Sequence, residues 1–400
     1  MTFNMAIEKV TEYFFALTIF FAFGFLYASA RGHSYLSIFV VISIILGAIN
    51  LIYNKEIGTL KSGCGFLLKI TLMYGIVMIF NRLSHGEDSA LIRITLFFTA
   101  FVFFVPKTEL IKKYAIYGAI TGGWIVGFLA IKEVSEGISR VGGYTNAILF
   151  AQGALVLFIL NLHVLFHESQ AITKKLITII GVGLSLVAIY LSQSRGVWLS
   201  LIIVMVVYFT VNRHILIKNI RIILPGLIII LVAFNYNSNI FIQRMDAVKN
   251  NFIQMDKGNY QTSIGLRFVV WKSAWLGFLE YPFIGVGKDG IDELKKQQVS
   301  EHKINPVLLV GDAGLGMPHA HNQFLNQLVM RGLVGFIPMM ILLAAPIFMR
   351  NRFGFLGMYL ALAYLVSGLT DVPLEQKETL YIFLFSLLFA TLVRDIEAEC

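Results

Sequence analysis

Four hundred residues with 57% hydrophobic and only 14% charged side chains, at a mean hydropathy of +0.77, exclude a water-soluble globular chain, because soluble domains carry about 25% charged residues. At about 20 residues per span, the length holds on the order of ten to twelve membrane spans and one sizeable outer segment, with no room for a large separate soluble domain. The net charge of +9 would suggest nucleic acid in a soluble chain, but here it must first be divided between the two sides of a membrane.

In chain order, apolar runs predict spans near 11–30, 35–53, 66–82, 90–105, 112–131, 146–167, 174–192, 196–211 and 222–235. A long amphiphilic interruption follows, and further spans are predicted near 333–349, 354–370 and 377–393. Runs without alternation exclude a transmembrane barrel, and an open sheet cannot leave backbone groups facing lipid. The expected fold is an all-α polytopic membrane protein of about twelve transmembrane helices, with a large, partly helical loop between helices nine and ten. Ala28-Ser29-Ala30 imitates a signal-peptide cleavage site, but its apolar run is long and lacks a basic flank, so an uncleaved first span is expected. Cys64 and Cys400 form neither a disulfide framework nor a metal-ligand pattern.

Basic residues set the expected orientation. One alternating set of connections holds fifteen of the 32, among them Lys9, Lys107, Lys112, Lys113, Lys174, Lys175 and Arg213, while the short connections of the opposite set hold seven. The richer set is expected in the cytoplasm, with both termini. The segment from about 236 to 332 then lies outside. No internal repeat is visible, and the inverted symmetry of a secondary transporter is not obvious.

Within the outer segment, residues 264–280, IGLRFVVWKSAWLGFLE, predict an apolar helix on which Arg267, Trp271 and Trp275 share one face. Such a helix normally lies in the headgroup layer, anchored by its aromatic residues. Tyr281-Pro282 ends it, and GVGKDG at 285–290 reads as a turn-rich loop; Asp289 after Lys288 excludes a Walker motif. Pro318-His319-Ala320-His321-Asn322 then opens a helix-like stretch, expected to be a short outer helix carrying His321 and broken at Gly332. Two histidines one residue apart suggest a metal, but no Cys, Asp or Glu stands nearby at a convincing third-ligand spacing, so none is expected. His321 can serve as a general base without one. Arg195, in Ser192-Gln193-Ser194-Arg195-Gly196, interrupts two spans at a tight outer connection, against the charge rule.

Each of these residues has a plainer reading. Arg195 suits a snorkelling flank as well as a substrate contact, and Arg267 suits a headgroup contact. His319 and His321 are indistinguishable as packing or capping residues, and Arg331 reads as an interface anchor. Glu301, Asp312 and Asp371 read as solvated loop carboxylates, with pairing to an arginine left open for Asp371.

Together the pieces resemble the O-antigen ligase family of the bacterial envelope, within the larger ligase and polymerase superfamily. Ser194-Arg195-Gly196 heads a span, Gly265-Leu266-Arg267 with Trp271 opens the outer helix, and Pro282 with Gly285 and Gly287 follows. His321-Asn322, a nine-residue spacer and Gly332-Leu333-Val334-Gly335 form the most specific part of the match. The resemblance implies a GT-C-like glycosyltransferase of lipopolysaccharide biosynthesis in the bacterial inner membrane, with both termini cytoplasmic and the active site periplasmic. Its donor would be a polysaccharide on undecaprenyl diphosphate and its acceptor a sugar of the lipid A core. It would work in contact with membrane lipid, with no nucleic-acid partner, and invert the anomeric centre without cofactor or divalent metal.

The same resemblance implies His321 as base and Arg195 and Arg267 as cations for the diphosphate, with Asn322, His319 and Trp271 as further substrate-binding candidates. Three regions follow: 1–235 with spans one to nine, 236–332 with the interfacial and catalytic helices, and 333–400 with spans ten to twelve and a cytoplasmic tail. The nearest alternative is an O-antigen polymerase, which shares the donor. A protein O-glycosyltransferase is disfavoured by chain length, and a transporter of lipid-linked sugars by basic residues that sit mostly at span ends. A scaffold without chemistry is the plainest reading.

Overall fold

Apolar runs of this length satisfy their own backbone groups in lipid only by coiling into helices, and among the described residues every regular element is helical. The structure is a computed structural model that describes residues 3–54, 65–85, 88–168, 171–218, 238–309 and 319–393. The expected span at 222–235, Asp312, Pro318 and both cysteines lie outside the described residues. In order, the helices are α1 (Phe3–Gly24), α2 (Gly32–Asn54), α3 (Gly65–His85), α4 (Ser89–Phe104), α5 (Glu109–Ser135), α6 (Ala147–His167), α7 (Ile172–Leu191) and α8 (Arg195–Val211). After the short α9 (Arg213–Lys218) come α10 (Ser238–Asp256), α11 (Ser263–Glu280), α12 (Gly287–Ser300), α13 (Gln323–Phe348), α14 (Arg350–Gly368) and α15 (Lys377–Val393).

Six of these, α2, α3, α5, α6, α7 and α13, are long and apolar enough to cross a membrane, which makes the chain a multi-pass helical membrane protein. Their burial fits lipid as the outer solvent. On α2, Ile38, Ile45 and Ile52 recur every seven residues and are all more than half exposed, a stripe that water would penalise and acyl chains would not. At the centre, α6 and α15 are buried almost throughout. Phe385 of α15 meets Phe98 of α4 edge-on at 5.2 Å, and Phe389 meets Phe23 of α1 at 5.7 Å, the offset geometry that aromatic rings prefer.

Polar residues fix where several helices begin. Asp88, Asn146, Thr262 and Asn322 each turn a side-chain oxygen onto the first free amides of α4, α6, α11 and α13, donors that no helix can satisfy internally. Beyond the main helical core, Val269, Val270, Ala274, Leu294, Leu308 and Val329 form a second, smaller hydrophobic cluster that joins α11, α12 and the first part of α13. It packs against one end of the bundle, where His85 of α3 contacts the Ile284 carbonyl at 2.9 Å.

The sharpest local feature is the interruption inside α13. Gly332 takes φ 56° and ψ −159°, and a Cβ there would fall 2.3 Å from the Phe283 carbonyl carbon, so only glycine fits. Breaking a helix strands amides and carbonyls. The 281–286 stretch collects them: Leu333 N–H donates to Pro282 O at 2.8 Å, Val334 N–H to Phe283 O at 3.0 Å, and Val286 N–H to Val329 O at 2.9 Å. The Pro282, Gly285 and Gly332 motifs are therefore two halves of one stitched junction.

Four expectations need correction. Only Gly285 and Val286 of GVGKDG are loop, because α12 begins at Gly287; the glycines hid a helix whose apolar face is narrow. His321 is not carried on a helix: it precedes the N-cap Asn322, with a positive φ of 46°. Arg331 is no interface anchor but 1% exposed, because the break leaves it facing a carboxylate. Asp371, expected to be solvated, is 4% exposed.

Replacing Gly332 with alanine should cost about 1–3 kcal/mol from backbone strain alone, before any clash with Phe283. Thermal unfolding of the detergent-purified full chain should show a lowered midpoint, and an unchanged midpoint would mean the junction relaxes freely.

Candidate functional site

Two short loops and one helix face meet beside this junction. The first loop, residues 319–322, is held from both sides: Asn326 Oδ1 accepts from Ala320 N–H at 3.0 Å, and the Trp271 indole N–H donates to Ala320 O at 2.9 Å. Asn322 caps α13 with its Oδ1, accepting from Phe324 and Leu325 amides at 3.0 Å. Its amide nitrogen donates across to Leu369 O at 3.3 Å. This side chain therefore starts a helix and ties it to the second loop.

The second loop, residues 369–375, links α14 to α15 and carries Asp371. Gln323 Oε1 accepts from Leu374 N–H at 2.9 Å, and Gly196 of α8 packs so closely that a Cβ there would lie 2.0 Å from Thr370 Oγ1. The Ser194-Arg195-Gly196 turn is thus pressed against the residue that precedes Asp371. Arg195 is the first residue of α8 and half-buried.

At the centre, His321 Nδ1 stands 3.4 Å from Asp371 Oδ1. That is ion-pair range, longer than a well-formed hydrogen bond. Arg267 of α11 also interacts electrostatically with Asp371. Burial pushes its guanidinium pKa down, and Asp371 opposes the shift; a guanidinium remains protonated in proteins. His319 lies against His321, with ring centroids 4.3 Å apart, and its Nδ1 accepts from the His321 backbone N–H at 3.3 Å. Burial, and then the neighbouring His321, lower the His319 pKa to about 4, so this imidazole is neutral at neutral pH. One histidine is a fixed neutral ring and the other faces a carboxylate.

Behind them lies a buried ion pair. Arg331 grips Glu375 with both terminal nitrogens, one pair at 2.8 Å, and also donates to Gln327 Oε1. Burial works against the Glu375 charge, but Arg331 beside it holds its carboxyl below the usual carboxylate value. Such a fork-on-fork pair fixes orientation as well as charge, and it joins the helix break at Gly332 to the Asp371 loop.

The sequence spacing argued that the two histidines lack a third metal ligand, and this is corrected: Asp371, fifty residues beyond His321, brings ligand atoms of all three residues within 4.8 Å of one another. The donors are of a kind that could hold zinc. Arg267, however, acts on Asp371, while Glu375 and then Lys295 act on His319. A dication would share Asp371 with a guanidinium, and the group is better suited to moving a proton.

Of the sequence candidates, His319, His321, Asn322, Trp271 and Arg267 converge on one place, and Arg195 reaches its edge through Gly196. Asp371 and Glu375 were missed as site residues. The signal that marked Arg195, an ionisable group at a tight connection between apolar spans, applies equally to Asp371.

Fold and site together define a multi-pass membrane protein with a histidine, arginine and carboxylate cluster at one end of its bundle. Residues 180–340 match the family model described as O-Antigen ligase. The matched region includes every sequence candidate and stops short of Asp371 and Glu375. An uncharacterized protein of Haemophilus influenzae (strain ATCC 51907 / DSM 11121 / KW20 / Rd) is 28% identical over 262 residues, which cover 61% of this chain and 63% of the relative. The chain thus spans less than two thirds of that relative's length.

The depressed His319 pKa gives the site a pH signature. Between its ordinary 6.5 and about 4 the folded state binds fewer protons at His319 than the unfolded chain does, so stability falls as pH drops through this window, by on the order of 2–3 kcal/mol. Unfolding midpoints at pH 7 and pH 4.5 should diverge for the native protein and much less for His319→Gln. Equal acid losses in the two proteins would contradict the neutral burial of this ring.

Proposed function

We propose that this protein is an O-antigen ligase, which transfers a polysaccharide from undecaprenyl diphosphate to a sugar of the lipid A core. In this reading it spans the bacterial inner membrane about twelve times, with both termini in the cytoplasm and the histidine cluster on the periplasmic side. The observation that carries the reading is the convergence of His321 and Arg267 on buried Asp371, beside the Ser194-Arg195-Gly196 turn.

The chemistry follows from the parts. The acceptor hydroxyl oxygen attacks the anomeric carbon and its proton passes to His321 Nε2, while Asp371 on the Nδ1 side stabilises the imidazolium that forms. The 3.4 Å separation is of the length that tightens when substrate binds. As the new glycosidic bond forms, the bond from the anomeric carbon to the diphosphate oxygen breaks on the opposite face, which inverts the centre. Undecaprenyl diphosphate departs with its added negative charge met by Arg195 and Arg267, whose planar forks suit phosphate oxygens. The exposed apolar side chains of α11 outside this cluster, Trp275 and Leu279, would hold the site against the headgroup layer where both lipid-borne substrates present their sugars.

In a ligase-null strain, Arg195→Ala, Arg267→Ala and His321→Ala should each lower polymer attachment at least about 100-fold while the protein still accumulates in the membrane. Arg267→Lys should also fail, because an ammonium lacks the fork. Full attachment by His321→Ala would overturn the base assignment. With purified protein, donor and lipid A core, product should be core-linked and its rate unchanged by EDTA. Loss of activity in EDTA would assign His319, His321 and Asp371 to a metal, and longer lipid-linked chains in place of core-linked product would make the protein a polymerase.

A further inference from the structure

Phe268, the residue after Arg267 on α11, opens onto a groove that the transfer chemistry does not use. The groove has a volume of about 570 Å³, and Tyr260, Phe268, Lys272, His302, Lys303 and Asn305 are among the residues that line it. The volume falls within the about 300–1,000 Å³ typical of small-molecule sites. Two lysines and a histidine line it, and among the described residues no carboxylate does.

Its side chains are arranged for an acidic sugar. Phe268 is 43% exposed, and its ring is braced at 5.4 Å by Trp271, the same indole that holds Ala320 in the histidine loop. With Tyr260 it offers flat apolar surface to the C–H face of a pyranose. Asn305 spends its Oδ1 as acceptor for Val307 N–H at 3.0 Å, which leaves its amide N–H groups to donate to a hydroxyl. Lys272 is exposed. Lys303 meets Glu301 at 2.5 Å, so Lys272 is the cation more open to an incoming anion.

We propose that this groove is a subsite for a sugar unit bearing a carboxylate or phosphate, which lies along the glycan of one of the two substrates and is read by Lys272 with Phe268 and Tyr260. The proposal rests on the glycosyl-transfer reading above and adds the substrate class: a glycan with an acidic unit some distance from the reacting bond. Trp271 ties the groove mechanically to the His319–Asn322 loop, so a chain held in the groove is registered against the base.

The test uses the detergent-purified full chain with two labelled probes of equal length, a hyaluronan tetrasaccharide as the acidic sugar chain and chitotetraose as the neutral one. The acidic probe should bind more tightly, and Lys272→Glu should weaken it at least tenfold while leaving the neutral probe unchanged; Lys272→Arg should keep most of the affinity. Phe268→Ala should weaken both probes. Displacement of the acidic probe by deacylated core oligosaccharide assigns the groove to the acceptor, and displacement by polymer released from its lipid assigns it to the donor. Equal affinity for the two probes, indifference to Lys272→Glu, or displacement by neither glycan overturns the proposal. His321→Ala should bind the probes normally, so a failure of the transfer reading appears as retained transfer in that variant, separate from any failure at the groove.

Discussion

A carboxylate that is 4% exposed at the mouth of an apolar helix bundle has lost most of its water, and it stays charged only if cations and donors replace that water. Asp371 is in this position. His321 and Arg267 are the groups that answer it, one from the loop before α13 and one from α11, and neither is near Asp371 in sequence. The cost of burying this charge therefore sets a geometric condition: the α14–α15 loop, the histidine loop and α11 must close on one point, with the start of α8 pressed in through Gly196 against Thr370. The cluster that carries the proposed chemistry and the constraint that folds this end of the bundle are the same set of contacts.

A second buried charge pair makes that closure rigid. Arg331 and Glu375 lie behind Asp371, and both belong to elements that already touch the site: Arg331 directly precedes Gly332, and Glu375 lies at the far end of the loop that carries Asp371. Removing one partner would leave the other uncompensated, at about 3–5 kcal/mol, so the pair resists any slippage between the broken α13 and the loop. The break at Gly332 then has a purpose in the packing. It turns α13 so that its first part joins the small outer cluster, while its second part returns to the bundle, and the amides it strands are taken up by residues 282–283. Glycine and proline motifs that look like mere punctuation in the chain are the two sides of this seam.

How much of this was legible in the sequence depends on the range of the interactions. Apolar runs are local and long, so helices appear at every expected span within the described residues, and the break at Gly332 and the start of α11 followed from local chemistry too. Arg195, Arg267 and His321 were marked by charge or motif against an apolar background. Asp371 and Glu375 were passed over because their meaning lies in partners 44 to 104 positions away, from Arg331 for Glu375 to Arg267 for Asp371, and one chain carries no record of such distances. His319 and His321 could not be told apart from spacing alone; burial and the 3.3 Å contact from the His321 amide make one a neutral support and leave the other facing Asp371. α12 was missed for a different reason: its glycine-rich first turn carries strong turn signals, and only packing against α3 and α13 makes it a helix.

The central claim is that Asp371 organises the base and the arginine rather than merely filling space. Asp371→Asn is close to isosteric and should still fold and accumulate in the membrane, with a lowered thermal midpoint, while the rate of core-linked product formation from purified donor and acceptor falls by at least about 100-fold. A variant that folds normally and transfers at the native rate would contradict the account.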